Sequence, residues 1–429
     1  MKSFLLGSKE KTSTQSYIWY SIGGLLNACQ SAILLMVISR TNSQDDAGVY
    51  SIGYAIACLA LTVGSYGMRN FQATDVNHKY SFKTYLTSRI ITDAAMICVI
   101  LFYIIKGTLF LDYSRDKCLV IIFLGLLKTV DSFEDVWHGF YHNRGRLDVA
   151  GRCMTTRYIL MMGVMALSLA VSHNLVLSSA VSFAVSLLYF IYTTILVYPE
   201  IKNDNASEND LDKNDKINNV QILSLLRECF PLFAGGFLAL YMANAPKYAI
   251  DELMPPADQA MFNYIFMPVY VVNVLNTFIY QPMLTTMASS YEIKDYKRFI
   301  KLFFRQIGII FLLVLAVLIG GYLLGIPVLS VFYNTNLTDL KLPFMILMVG
   351  SGFLGMEGYL QAIITVMRKQ NLLLIGFSIS AVLAFLLSRP AVIRWGIMGA
   401  AMLYSGIIML QMLVFIVLFT ILWRKRPAK

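Results

Sequence analysis

The sequence has little charge, few cysteines and none of the short motifs of common soluble enzymes. Only 14% of its 429 residues are Asp, Glu, Lys or Arg, whereas 57% are hydrophobic. This balance excludes an ordinary soluble enzyme and predicts a polytopic membrane protein. HExxH, P-loop and GxSxG motifs are missing, so the signatures of metalloproteases, nucleotide hydrolases and serine hydrolases are absent.

The cysteines show no sign of metal or disulfide chemistry. None of the six stands in a CxxC motif or beside a histidine; they are Cys29, Cys58, Cys98, Cys118, Cys153 and Cys229. Scattered cysteines of this kind are typical of buried, inert thiols. We therefore predict no metal site, no catalytic residue and no bound cofactor.

Apolar runs of about twenty residues, the length that crosses a bilayer, predict twelve membrane spans. The spans are 17–39, 49–68, 86–105, 118–141, 154–172, 175–198, 222–249, 259–287, 302–326, 342–367, 371–388 and 396–423. The residues before the first span contain no small-residue cleavage site, which favours a retained lead-in over a signal peptide. Residues 220–229 are predicted to lie along the membrane interface, before Pro231 turns the chain into span seven.

The basic residues predict the orientation of the chain. Of the 35 Lys and Arg residues, 26 fall on the side of both termini, 8 on the opposite side, and Lys128 lies inside a span. Because basic residues accumulate in cytoplasmic loops, both termini are predicted to be cytoplasmic. The net charge of +10 is therefore explained by basic residues in cytoplasmic loops, and no nucleic-acid partner is predicted.

The long polar stretch at 199–221 divides the chain into two halves of six spans each. We predict an N-lobe (1–198), a cytoplasmic linker (199–221) and a C-lobe (222–429). Matching residues recur in the same order in both halves, among them Glu134 in span four and Glu357 in span ten. Six spans per half give the repeats the same orientation, so a pseudo-twofold axis along the membrane normal is expected.

Span four carries unusual charge for a membrane helix. At about 100° per residue, Lys128, Asp131 and Asp135 fall on one face, so an internal ion pair can form. Either this pair only neutralises a buried lysine, or it forms a cationic site whose availability changes as the acids exchange partners. Glu134 faces elsewhere. Glu134 and Glu357, the repeat-related carboxylates, are possible coupling sites for a cation or proton, or simply structural acids.

Other charged residues lie near span ends. Arg40 ends span one, Arg69 and Asn70 end span two, and Lys247 lies late in span seven. Guanidinium and ammonium groups would suit the phosphate of an anionic lipid headgroup, although Arg69 on spacing alone also fits a cytoplasmic anchor. Arg89 and Asp93, four residues apart, are interpreted as a local pair, and Arg157 as one of the cytoplasmic basic residues.

Four segments resemble a known family: GMRNFQATD (67–75), EDVWHGFYHNRGRLDVAG (134–151), NAPKYAID (244–251) and QPMLTT (281–286). With the twelve spans, two lobes and polar linker, they make nearly the whole chain similar to the Wzx-type flippases of lipid-linked oligosaccharides. These belong to the multidrug/oligosaccharidyl-lipid/polysaccharide (MOP) superfamily. Capsule or cell-wall polysaccharide flippases of Gram-positive bacteria are the particular resemblance.

The resemblance implies an all-α, MATE-like fold whose two six-helix lobes open alternately to either side of the bacterial plasma membrane. Its members carry undecaprenyl-diphosphate-linked repeat units to the outer leaflet, in pathways that include glycosyltransferases and a polysaccharide polymerase. Substrate and membrane lipids would thus be the partners. The headgroup-binding residues so implied are Arg69, Lys247, Arg40, Lys128 and Asn70. The residues implied to couple transport to Na⁺ or H⁺ are Asp131, Glu134, Asp135 and Glu357.

Two other functions remain open from the sequence. A drug or cation exporter on the same fold would favour acidic over basic residues in its binding site. A membrane polysaccharide polymerase or glycosyltransferase could use Asp45 and Asp46, in the first predicted external loop, as an acidic pair. Against such an enzyme, no predicted external loop exceeds about fifteen residues, which leaves little room for an acceptor-binding domain.

Overall fold

The computed structural model describes residues 1–7, 12–74, 79–204 and 219–425, and these are almost entirely helical. Within these ranges there is no strand. The helices are α1 (Lys2–Leu6), α2 (Thr12–Thr41), α3 (Gln44–Ser65), α4 (Met68–Thr74), α5 (Phe82–Phe110), α6 (Arg115–Asn143), α7 (Leu147–Ser172), α8 (Leu175–Asp204), α9 (Asn219–Leu253), α10 (Pro256–Glu292), α11 (Tyr296–Gly320), α12 (Ile326–Tyr333), α13 (Lys341–Val366) and α14 (Leu373–Arg424). A short π-helical segment, Gly321–Gly325, joins α11 to α12.

Ten helical segments of the described chain are long and apolar enough to cross a membrane. Helix α6 is not among them, because charged side chains interrupt its apolar run. The last of the ten segments, Gln370–Arg424, covers both of the spans predicted at the end of the chain. The all-α membrane fold is therefore confirmed, whereas the count of twelve spans stays a prediction.

The loop predicted between residues 388 and 396 is wrong, because these residues are helical. Helix α14 continues through Pro390 and departs from helical geometry only at Gly396, where φ is 55° and ψ is −132°. Glycine has no Cβ and adopts this conformation at little cost, whereas a residue with a side chain would be strained there. The bend in α14 is therefore set by Gly396 and not by the proline.

The chain forms two compact units, Met1–Phe237 and Leu238–Lys429. In the first unit α2 packs against α7, α3 packs against α5 and α6, and α8 packs against α6 and α7. In the second unit α13 packs against α14 and α10, and α10 packs against α11. The predicted lobes, 1–198 and 222–429, stay a prediction, since residues 205–218 of their linker lie outside the described residues.

The start of α9 belongs to the first unit and contacts the residues that precede α5. Lys79 Nζ lies 2.5 Å from Glu228 Oε1, and the Tyr80 hydroxyl donates to the same oxygen at 3.1 Å. The hydrogen bond to Glu228 raises the pKa of Lys79, which lies outside the membrane-spanning helices. The predicted break at Pro231 is wrong: α9 is one continuous helix, and its first turns are held by these contacts.

Helices α2 and α7 approach closely at Gly151. A Cβ at Gly151 would lie 2.6 Å from the carbonyl carbon of Trp19, in the backbone of α2. We expect Gly151→Ala to force the helices apart, to cost about 1–3 kcal/mol of stability and to lower the melting temperature in detergent.

The matched control for this substitution is Gly163→Ala on the same helix. Nothing lies within 4 Å of a Cβ built at Gly163. Alanine is a better helix former than glycine, so this variant should melt at the wild-type temperature or slightly above it. Equal melting temperatures for the two variants would show that the contact between α2 and α7 tolerates a side chain.

Candidate functional site

The most deeply buried ion pairs of the first unit meet at Arg157 of α7. Its Nη2 lies 2.6 Å from Asp131 Oδ1 and 2.7 Å from Glu134 Oε2, both on α6. Its Nη1 donates to Ser186 Oγ of α8 at 2.7 Å. Asp131 and Glu134 lie about one turn apart on the same helix, so one planar guanidinium can bind both carboxylates. Arg157 thereby links three helices inside the unit.

Lys128 binds the other oxygen of Asp131. Its Nζ lies 2.8 Å from Asp131 Oδ2, donates to Gln30 Oε1 of α2 at 3.1 Å, and lies 4.9 Å from the centroid of the Tyr54 ring. The ion pair that the sequence allowed on this face of α6 is present. Lys128 is almost completely buried, so its ammonium is already engaged by these partners.

Asp135, also on α6, pairs with Arg89 of α5. Arg89 Nη2 lies 3.2 Å from Asp135 Oδ2, while Nη1 donates to the Gly64 carbonyl at 2.5 Å and to Ser132 Oγ at 3.2 Å. The Ser132 hydroxyl in turn donates to Asp93 Oδ1 at 2.5 Å. The residues interpreted as a local pair on α5 therefore belong to a larger cluster that joins α3, α5 and α6.

Arg69 of α4 contacts the same carboxylate through longer interactions. Its Nη1 lies 3.6 Å from Asp135 Oδ1 and 3.3 Å from the Asp135 carbonyl oxygen, and its Nη2 lies 3.4 Å from the Tyr20 hydroxyl. Arg69 is partly exposed, in contrast to Arg89 and Arg157, which are fully buried. Of these three arginines, Arg69 is the most accessible to a ligand.

Together these side chains form what we call the first-unit network. Its members are the basic residues Arg69, Arg89, Lys128 and Arg157 and the acidic residues Asp93, Asp131, Glu134 and Asp135. Basic and acidic members are equal in number, so the network is formally neutral. Charges inside a membrane helix are costly unless they are paired, and this pairing explains how α6 can carry four of them.

The second unit contains Lys247 and Glu357. Lys247 of α9 is buried, with Nζ 4.6 Å from the centroid of the Phe266 ring and 5.5 Å from that of Tyr270, both on α10. Such cation–π contacts stabilise an ammonium group in an apolar setting. Two aromatic rings of α10 therefore flank the Lys247 ammonium.

Glu357 of α13 is buried, and its Oε1 has no hydrogen-bond partner among the described residues. Glu134, its predicted repeat mate, binds Arg157 instead. The two related carboxylates therefore have different environments. In the parts of the chain that the structure describes, no three His, Cys, Asp or Glu side chains are grouped as ligands for a metal ion.

The structure brings five of the predicted residues together. Arg69, Lys128, Asp131, Glu134 and Asp135 all belong to the first-unit network. Asn70 is exposed beside Arg69, whereas Lys247 and Glu357 lie in the second unit. Arg40 is exposed in the last turn of α2, about twenty residues and roughly 30 Å along that helix from Tyr20.

Two arginines of the network were assigned other roles from the sequence. Placing Arg157 among cytoplasmic loop residues was wrong: it lies within α7 and is fully buried, because two acids of α6 require a partner there. Arg89, which the sequence paired with Asp93 on its own helix, contacts Asp135 of α6, 46 residues away along the chain. The available signal was the excess of unpaired acids on span four, which requires cations from neighbouring spans.

Three solved structures that align with nearly the whole chain are membrane transporters. A multidrug resistance MATE family transporter of the MOP superfamily, in an inward-facing conformation, aligns with a TM-score of 0.63 and 14% identity over 96% of this chain and 100% of that chain. The Vibrio cholerae MATE transporter VcmN in its bent form aligns with a TM-score of 0.60 and 12% identity over 97% of this chain and 98% of that chain.

A MOP superfamily transporter from Pyrococcus furiosus aligns with a TM-score of 0.58 and 14% identity, over 98% of this chain and 96% of that chain. No protein-family model matches the chain, and no curated protein matches it. The protein has the fold of the MOP superfamily transporters. At identities of 12–14%, what these chains share is the fold.

Proposed function

We propose that this protein is a flippase of lipid-linked oligosaccharides. It moves undecaprenyl-diphosphate-linked repeat units from the cytoplasmic to the outer leaflet of a bacterial plasma membrane by alternating access, for capsule or cell-wall polysaccharide synthesis. Both termini lie in the cytoplasm. Glycosyltransferases and a polysaccharide polymerase of the same pathway make and use the substrate.

The observation that carries this proposal is the partial exposure of Arg69 and the length of its polar contacts. It is a partly exposed guanidinium whose distances to its polar partners are all 3.3 Å or longer, beside a network whose other cations are tightly bound. A guanidinium can bind a phosphate through two parallel hydrogen bonds. Arg69 also lies in the segment GMRNFQATD, one of those that resemble the flippase family.

Lys247 supplies a second cation for the headgroup. Phosphate is far costlier to place in hydrocarbon than the polyprenyl tail, so a transporter needs cations along the path of the head while the tail stays in the bilayer. Tyr270, whose ring centroid lies 5.5 Å from Lys247 Nζ and which is not fully buried, can also stack on a sugar ring of the substrate. Lys128 and Asp131 are held in ion pairs, and they maintain the fold of the first unit around Arg69.

Coupling to an ion gradient is assigned to Glu357. A buried carboxyl with an unpartnered oxygen is stabilised by taking up a proton or a cation such as Na⁺. Asp131 and Glu134 are less suited to this role, because Arg157 binds both. Glu357, in the second unit, is therefore the residue that we assign to ion sensing.

A multidrug exporter is the second possibility, because several solved structures with this fold are MATE transporters. The structure from Pyrococcus furiosus is described as having a binding pocket of reverse polarity that suggests a different function, so charge in the pocket can vary on one fold. An exporter of cationic drugs would need accessible acids. In the first-unit network, each acidic side chain accepts a contact from a basic or hydroxyl group.

The test uses a deletion strain that carries Arg69→Ala or Lys247→Ala on a plasmid. We expect each variant to abolish surface polysaccharide while the amount of protein in the membrane is unchanged, because the headgroup loses a phosphate-binding cation. Surface polysaccharide is measured by immunoblot. The control is Arg389→Ala, an exposed arginine whose Nε lies 3.5 Å from Glu252 Oε2.

Normal polysaccharide in both variants would overturn the assignment of the headgroup site. A deletion strain with normal polysaccharide and new sensitivity to cationic amphiphiles would favour the exporter. Purified protein that elongates a glycan in detergent would instead favour an enzyme.

Asp46, one of the acidic pair that such an enzyme could use, contributes to the start of α3. Its backbone N–H donates to Ser43 Oγ, and its carboxylate accepts from Asn42.

A further inference from the structure

Asp135 differs from the other acids of α6 in its exposure. Its side chain is 28% exposed, compared with 8% for Asp131 and 5% for Glu134. It is also the only one of these three that contacts two arginines of different accessibility: Arg89 is fully buried, whereas Arg69 is 13% exposed. Asp135 therefore lies at the accessible edge of the first-unit network.

The two arginines bind Asp135 with different strength. Arg89 holds Oδ2 at 3.2 Å and is fixed in turn by the Gly64 carbonyl and Ser132. Arg69 is 3.6 Å from Oδ1, beyond the usual range of a charge-assisted hydrogen bond. If Arg69 moves away, Asp135 remains neutralised by Arg89. The pair Arg69–Asp135 can thus open without leaving a buried, unpaired charge.

We propose that Asp135 is an internal competitor that occupies Arg69 until the diphosphate of the substrate displaces it. This inference rests on the proposed flippase function and adds a selectivity mechanism to it. On binding, Arg69 moves from the carboxylate to the diphosphate, and Asp135 keeps its contact with Arg89. On release, the carboxylate takes Arg69 back, which resets the site.

Competition of this kind selects for highly charged headgroups. A phospholipid of the bilayer carries one negative charge on its phosphodiester, so replacing the carboxylate by that group gains little. A diphosphate carries more charge and more acceptor oxygens, so it binds the Arg69 guanidinium more strongly than the Asp135 carboxylate does. Asp135 therefore keeps abundant anionic phospholipids from occupying the site, and it acts as a specificity-determining residue.

The experiment measures binding of radiolabelled undecaprenyl diphosphate to the full-length protein in nanodiscs, with phosphatidylglycerol as the competitor. We expect Asp135→Asn to bind undecaprenyl diphosphate about tenfold more tightly, the order expected when one partly screened charge is removed a few ångströms from a ligand. Phosphatidylglycerol should compete with this binding in the variant much more effectively than in the wild type. If Asp135 had only a structural role, Asp135→Asn would leave this competition unchanged.

The matched control is Asp116→Asn, which removes a carboxylate from an exposed position in the first turn of the same helix. It should bind both lipids as the wild type does. Combining Arg69→Gln with Asp135→Asn should remove the gain in affinity, because Asp135 acts through Arg69. Asp135→Glu keeps the charge and reaches further toward Arg69, so it should bind undecaprenyl diphosphate more weakly than the wild type.

The outcomes separate this inference from the function on which it rests. Wild-type protein that does not bind undecaprenyl diphosphate would overturn both. Wild-type binding with unchanged or weaker binding by Asp135→Asn would overturn only the role of Asp135. If Asp135→Asn does not fold, Asp135→Glu decides: weaker binding supports the competitor, and unchanged or tighter binding overturns it.

Discussion

Arg157→Ala is expected to lower the free energy of unfolding by about 3–5 kcal/mol, the cost of removing one partner from a buried ion pair. The substitution leaves Asp131 without its 2.6 Å contact and Glu134 without its 2.7 Å contact, inside a unit that excludes water at this position. Both carboxylates would then lie in an apolar interior with too little positive charge. We expect a lower melting temperature in detergent and less protein in the membrane.

Two further variants test whether this loss of stability comes from the buried ion pairs of Arg157. Arg157→Lys keeps the charge but cannot bind both carboxylates with a planar fork, so it should be intermediate in stability. Arg389→Ala removes an arginine that is 64% exposed and paired at 3.5 Å, and should change stability by about 1 kcal/mol or less. Melting of Arg157→Ala at the wild-type temperature would mean that the first-unit network does not stabilise the fold.

Glu357→Gln is expected to eliminate the response of transport to an imposed gradient of Na⁺ or H⁺ and to leave the melting temperature unchanged. Glutamine has nearly the same shape as glutamate. Its amide neither takes up a proton at the pH of the assay nor carries the charge that attracts Na⁺. Because Glu357 Oε1 has no hydrogen-bond partner among the described residues, the substitution breaks no such bond there. Transport is measured in proteoliposomes with each gradient imposed separately.

Glu134→Gln is the comparison for this variant, since Glu134 is the predicted repeat mate of Glu357. It weakens the contacts of Arg157 Nε and Nη2 with Glu134 Oε2, and it should lower the melting temperature. The two conservative changes thus separate coupling from stability. Gradient-dependent transport by Glu357→Gln at the wild-type level would assign coupling to another residue.

The sequence was sufficient for the parts of this protein that depend on local pattern. Apolar runs predicted the helices, and the spacing of Lys128 and Asp131 allowed the ion pair that α6 contains. The orientation of Glu134 away from Lys128 also followed from helix geometry, and Glu134 binds Arg157. These features need only the periodicity of one helix.

The features that the sequence did not predict depend on contacts between helices. Arg157 looked like a loop residue because it lies near the start of its apolar run, and only the packing of α7 against α6 and α8 shows what it binds. Asp135 was expected to face Lys128, but Arg89 and Arg69, from other helices, are its partners. The end of span eleven was misplaced because Pro390 is accommodated inside α14.

The first-unit network also bears on how the protein enters the membrane. An isolated α6 would have to place Lys128, Asp131, Glu134 and Asp135 in lipid, at about 2.5–3.5 kcal/mol for each charge near the bilayer centre. Its neutralising arginines lie on α5, synthesised before it, and on α7, synthesised after it. If α6 spans the membrane as predicted, we expect it to insert stably only together with α5 and α7, so insertion of this region should be complete only after Arg157 has been synthesised.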